Sequence, residues 1–143
     1  MNITLREAET PADITACWPV MAQLRPHITT ADELVTRVMR QNQAGYRLLA
    51  AWRGNTVIGL AGYRVQENLI RGRFLYVDDL VTEATERRSG LGARLLAAMR
   101  ERATAMDCPT LVLDTALDNV LGHRFYYRNG MLAAATRFAQ PLT

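Results

Sequence analysis

The sequence predicts an α/β chain built on a mixed sheet, and three features predict it. Short β-rich runs alternate with segments of helical periodicity along the whole 143 residues. Two apolar runs, 46–52 and 57–65, flank the turn Arg53-Gly54-Asn55-Thr56, which is the signature of a hairpin. A long amphipathic segment, 90–106, lies between the β-rich runs 73–82 and 110–114, which reads as a crossover.

Residues 2–6 form a short first strand in this reading. Thr10-Pro11-Ala12-Asp13 then opens a helix: threonine caps free amides, proline tolerates the first helical position, and an acid sits in the first turn. Pro19 is expected to kink or split that helix and Pro26 to end it. Thr30-Ala31-Asp32-Glu33 is a second capping box, followed by Leu34, Val35, Val38 and Met39 at helical spacing, with Gly45 as a stop. Gly59 and Gly62 weaken the returning strand of the hairpin and point to a bulge or a close contact. In 90–106, Leu91, Leu95, Leu96, Met99 and Ala103 share one face. Asp107-Cys108-Pro109 stops that helix, a further helix spans about 118–128 and ends at Asn129-Gly130, and 132–139 is expected as a last strand. The order is β-α-α-β-β-β-α-β-α-β, with no repeat or linker, so 1–143 reads as one domain.

Composition bounds the function. The chain is 49% hydrophobic and 22% charged with a net charge of +3, which suits a soluble globular protein. The basic excess is compatible with an anionic ligand or with nucleic acid and demands neither. Cys17 and Cys108 stand far apart, with no CxxC or Cys/His cluster, so a metal site is not expected and a reduced pair is. The opening MNITLREAET is charged where a signal peptide needs an apolar run, and no stretch is long enough to span a membrane. These features predict a cytoplasmic protein without a membrane partner. Its arginines are scattered among acids, which argues against a nucleic-acid module.

The segment Arg87-Arg88-Ser89-Gly90-Leu91-Gly92 carries the chemistry. It joins a strand to a long helix. Glycines allow a bound group to approach the backbone, and the free amides and positive end of the helix attract an anion such as a pyrophosphate. A dinucleotide fingerprint has its third glycine where Leu95 stands, although Asp114 lies at a plausible distance for a ribose; a P-loop needs Gly-Lys-Ser/Thr, which is absent.

At this segment the sequence resembles the GCN5-related N-acetyltransferases. Arg87, Gly90 and Gly92 match their hallmark Arg/Gln-x-x-Gly-x-Gly/Ala. Asp79-Leu80-Val81-Thr82 matches the strand before it, while Glu83-Ala84-Thr85-Glu86 lacks the usual proline. Asn119, Gly122, Tyr126 and Gly130 follow the family's Asn-x-x-Ala-x-x-x-Tyr-x-x-x-Gly-Phe, with Gly122 for alanine and Met131 for phenylalanine. The resemblance covers nearly the whole chain. It implies a mixed, mostly antiparallel sheet of six to seven strands flanked by about four helices, acetyl-CoA as co-substrate, no metal, and a homodimer.

The resemblance also implies roles. The backbone of Arg87, Arg88, Ser89, Gly90, Leu91 and Gly92 would cradle the pyrophosphate, and that of Leu80, Val81 and Thr82 the pantetheine, with Asn119 on the same arm. A backbone amide near Val81 would polarise the acetyl carbonyl, and Tyr126 would protonate the leaving thiolate. Asp79 is the candidate base, with Asp78 expected on the opposite face of the strand because consecutive strand residues alternate. Arg25, His27 and Tyr76 are the candidate acceptor-binding residues. The expected reaction is acetylation of the primary amine of a small molecule. The alternatives are acetylation of a protein N-terminus or lysine, and a non-catalytic CoA sensor.

Overall fold

The computed structural model describes residues 2–143. They form two compact units, 2–112 and 113–143. In the first, β1 (Ile3–Glu7) leads to α1 (Pro11–Leu24) and α2 (Ala31–Asn42), followed by β2 (Arg47–Arg53), β3 (Thr56–Asn68) and β4 (Gly72–Thr82). A 3-10 turn at Ala84–Glu86 precedes α3 (Leu91–Ala105), and β5 (Leu111–Leu113) closes the sheet. The strand order is β1-β2-β3-β4-β5, with β1 to β4 antiparallel throughout.

Both predicted caps form. The Thr10 hydroxyl accepts from the Asp13 amide, and that of Thr30 from the Glu33 amide, each at 3.1 Å. Glu33 returns a bond from the Thr29 amide at 3.2 Å, one residue before the box predicts. Helix α1 runs through Pro19 without splitting and ends at Leu24, before Pro26.

One face of the sheet packs under α1 and α2. There Leu48, Ala50 and Trp52 of β2 and Leu60 of β3 meet Ile14, Cys17 and Met21 of α1 and Leu34 and Val38 of α2. Burying a leucine of this kind contributes about 1.5–3 kcal/mol. Burial, with Asp13 adding to it, pushes the Cys17 thiol up to about 12, so it is an inert core group, and both cysteines are free. The other face packs on α3. Gly59 is a point of close approach, since a Cβ there would lie 3.0 Å from Leu95 Cδ1.

In the second unit, α4 (Val120–Arg128) ends where Gly130 takes a φ of +87° and the Met131 amide bonds back to the Tyr126 carbonyl at 3.0 Å. The strand expected over 132–139 is not formed: among the described residues 131–143 carry no strand, and the sheet has five strands where six to seven were expected. Ala133, Ala134 and Ala135 have low strand propensity and little side chain to pack, and Leu132 and Phe138 are exposed. Instead Arg137 forms an ion pair with Asp114, the residue a dinucleotide reading would place on a ribose.

Candidate functional site

The site begins with an irregularity between β3 and β4. Gly62 pairs with Asp79 and Tyr63 pairs with Val77, so Asp78 is an extra residue on β4. Such a bulge breaks the in-out alternation of a strand. Asp78 and Asp79 therefore line the same cavity, which corrects the expectation that they face opposite sides.

Three polar side chains hold the two carboxylates. The Arg25 guanidinium, just past the end of α1, donates through Nε to Asp79 Oδ1 at 3.0 Å and through Nη2 to the Asp78 carbonyl at 2.8 Å. The Tyr46 hydroxyl donates to Asp79 Oδ2 at 2.7 Å. Arg64 on β3 donates to Asp78 Oδ2 at 3.0 Å and to Gln41 Oε1 at 2.7 Å, with its guanidinium over the Tyr46 ring. Burial raises the Asp78 carboxyl above the ordinary aspartate range, against the opposing pull of Arg64. Burial, then Asp79, pushes the Tyr46 phenol far above the usual tyrosine value, so it remains a donor at any working pH.

These groups border a cavity of about 230 Å³ between the α1–α2 side and β4. Arg25, His27 and Asp79, all singled out from the sequence, come together in its wall. Tyr76 does not line it; it stands on β4 opposite Arg64. Tyr46 and Gln41 were not singled out from the sequence. The available signal was Gly62: a Cβ at that position would overlap the Tyr46 hydroxyl, so the glycine makes room for the phenol.

The anion-binding segment lies at the start of α3. Arg88 has a φ of +68° and Gly90 of +87°, so the chain turns sharply twice before the helix. Gly90, the N-cap of α3, has no side chain to cap the helix, and residues 87–90 are exposed. The Ser89 hydroxyl bonds to the Glu86 carbonyl at 2.6 Å and accepts from the Leu91 amide at 3.3 Å. The loop is anchored from behind by a two-point ion pair between Arg53 and Glu86, at 2.7 and 2.8 Å. An uncapped helix start beside two exposed arginines fits a pyrophosphate. Upstream, Leu80, Val81 and Thr82 are half-buried and pair with Ala61, Leu60 and Gly59. The three-residue β5 matches only part of the eleven-residue β4, leaving a length of its edge for an extended ligand.

In the second unit, Asn119 caps α4: its Oδ1 accepts from the Gly122 amide at 3.1 Å, and its Nδ2 donates to Thr115 Oγ1 at 2.9 Å. A Cβ at Gly122 would overlap the Asn119 amide, which explains glycine where the motif has alanine. Tyr126 is half-buried on α4, edge-on to Phe125 at 5.3 Å, while Tyr127 is exposed. Burial raises the Tyr126 phenol, which therefore carries its proton at neutral pH.

The model of the acetyltransferase (GNAT) family matches residues 12–131. The chain belongs to this family. An uncharacterized N-acetyltransferase of Bacillus subtilis (strain 168) is 24% identical over 124 residues, which are 87% of each protein. Among solved structures, a CoA complex of the aminoglycoside N-acetyltransferase AAC(6')-Iy superposes with a TM-score of 0.85 at 16% identity, covering 99% of this chain and 96% of that one. A ribosomal-protein-alanine N-acetyltransferase of Brucella melitensis biovar Abortus 2308 superposes with a TM-score of 0.83 at 14% identity, covering 99% and 100%. At such identities the likeness establishes the GNAT fold, and the two relatives are named for a small-molecule and a protein acceptor on that one fold. GNAT enzymes use acetyl-CoA, so the chain is an acyltransferase. Among the described residues no helix is long and apolar enough to cross a membrane.

Proposed function

We propose that this GNAT chain, acting as one domain over 1–143, transfers the acetyl group of acetyl-CoA to the primary amine of a small molecule. The observation that carries the reading is the cavity of about 230 Å³ walled by Asp78, Asp79 and Tyr46. Its size suits a small acceptor, and its carboxylates suit an ammonium.

Acetyl-CoA supplies an activated thioester. Arg87 to Gly92 hold its pyrophosphate, and the backbone of Leu80, Val81 and Thr82, with Asn119, holds the pantetheine. The Val81 amide polarises the acetyl carbonyl. Tyr46 and Arg25 fix Asp79, leaving lone pairs on its carboxylate for the ammonium of the acceptor. Burial raises the Asp78 carboxyl and so favours its taking a proton, and the Asp78–Asp79 pair takes the first of the two protons that the ammonium must lose. Nitrogen then attacks the thioester carbon directly, Tyr126 protonates the departing sulfur, and the second proton that nitrogen loses as the amide forms replaces the one Tyr126 gave up.

The chain contains no lysine: all 17 of its cationic side chains are arginine. Release of thiol from acetyl-CoA therefore has no lysine of the enzyme as acceptor. The test is to follow that release with a panel of small amines and with peptides bearing a free N-terminus or lysine. Faster release with small amines supports the reading. Release with peptides alone overturns it in favour of a protein acceptor, and a thermal shift with acetyl-CoA but no release with either class overturns it in favour of a CoA sensor.

A further inference from the structure

The cavity is balanced in charge before any acceptor enters. Asp79 is paired with Arg25, Asp78 with Arg64, and Arg37 with Glu33 at 2.9 Å. An alkylammonium entering beside Asp79 would add a net positive charge and compete with Arg25 for the same carboxylate. A molecule carrying both an ammonium and an anionic group adds no net charge and offers Arg25 a replacement partner.

The walls are arranged for such an exchange. Asp78 and Asp79 lie on the β4 side, and Arg25, His27 and Arg37 on the side of the helices and their connection. The Arg25 side chain is 39% exposed while that of Asp79 is 14% exposed, so the arginine is the partner with room to leave the pair. Its contacts use Nε and Nη2, and among the described residues Nη1 makes no hydrogen bond. A guanidinium offers a planar fork matched to a carboxylate.

Building on the small-amine reading above, we infer that the acceptor is an amino acid-like zwitterion, whose carboxylate is taken by Arg25 while its ammonium replaces Arg25 on Asp79. Arg25 is then the residue that selects the acceptor. The carboxylate draws it off Asp79, and the vacated oxygen receives the amine that will react.

The test compares matched acceptors whose amines have similar basicity: β-alanine against propylamine, 4-aminobutyrate against butylamine, and 5-aminopentanoate against pentylamine. Thiol release from acetyl-CoA gives kcat/KM for each, on the wild type, Arg25→Gln and Arg25→Lys. At one chain length or more, the amino acid should exceed its alkylamine by about tenfold or more, the worth of one charge-assisted hydrogen bond. Arg25→Gln should collapse that ratio toward one, mainly through KM, and Arg25→Lys should restore part of it. Alkylamines that equal or exceed the amino acids at every length, in an enzyme that turns over, overturn the inference and leave the small-amine reading standing. An amino-acid preference that survives in Arg25→Gln overturns the role of Arg25. Release with no amine of either series, although acetyl-CoA raises the melting temperature, overturns both.

Discussion

The hydroxyl of Tyr46 donates to Asp79 Oδ2 at 2.7 Å, across a gap in β3 that exists because residue 62 is glycine. This bond joins the residue before β2 to the bulge of β4 and fixes one carboxylate of the cavity. Tyr46→Phe should therefore act on function more than on folding. Loss of a single buried hydrogen bond costs about 1 kcal/mol, while Asp79 loses one of its two anchors. Denaturant unfolding and kcat/KM, measured on the same preparation, should show a small stability loss and a larger loss of rate.

Gly62→Ala should be the more damaging change. The added methyl overlaps both the hydroxyl and the ring of Tyr46, and overpacking of this kind costs about 1–3 kcal/mol. A melting temperature equal to that of the wild type would show that the phenol is not seated where the structure puts it.

Much of this was legible in the sequence. Gly59 and Gly62 read as close contacts inside a strand, and each is one, against Leu95 and Tyr46 respectively. Arg87 to Gly92 read as an uncapped helix start, and it is. Gly62 also pointed to a bulge, and the register shifts between Gly62 and Tyr63. That the extra residue falls on β4 at Asp78, bringing Asp78 and Asp79 to one cavity, was not legible, because the register is a property of two strands. Tyr46 read as the apolar start of a strand, since nothing local marks a tyrosine whose partner lies 33 residues away. The strand expected at 132–139 failed for a related reason: alternation predicts a strand only where a neighbour pairs with it.

Alkaline pH should loosen the fold in a defined window. Burial, then Glu7, pushes the Tyr63 phenol from 10.0 up to about 12. The folded state thus keeps a proton that the unfolded chain loses first. The resulting stabilisation is complete below pH 10 and is lost as pH rises toward about 12, and Tyr46 adds in the same sense. Cys17, whose thiol burial raises from 9.0 to about 12, adds in the same sense from about pH 9. Denaturant midpoints should begin to fall near pH 9 and fall more steeply above pH 10, and Tyr63→Phe should flatten part of the steeper fall.

Arg88 separates stability from cofactor affinity. Its φ of +68° is unfavourable for an L-residue by roughly 1–2 kcal/mol. Arg88→Gly relieves that conformation but removes a charge beside the anion cradle. Stability should be unchanged or up to about 1 kcal/mol higher, while KM for acetyl-CoA rises and depends less on salt.

The most direct test of acetyl transfer with Tyr126 as the acid is steady-state thiol release from acetyl-CoA, with a small amine as acceptor, for the wild type and Tyr126→Phe. The account predicts amine-dependent release in the wild type and a kcat about 10²-fold lower in the variant, with affinity for acetyl-CoA retained. Equal kcat in the two proteins would contradict the role of Tyr126, and a wild type that binds acetyl-CoA but releases no thiol with any amine would contradict the transfer itself.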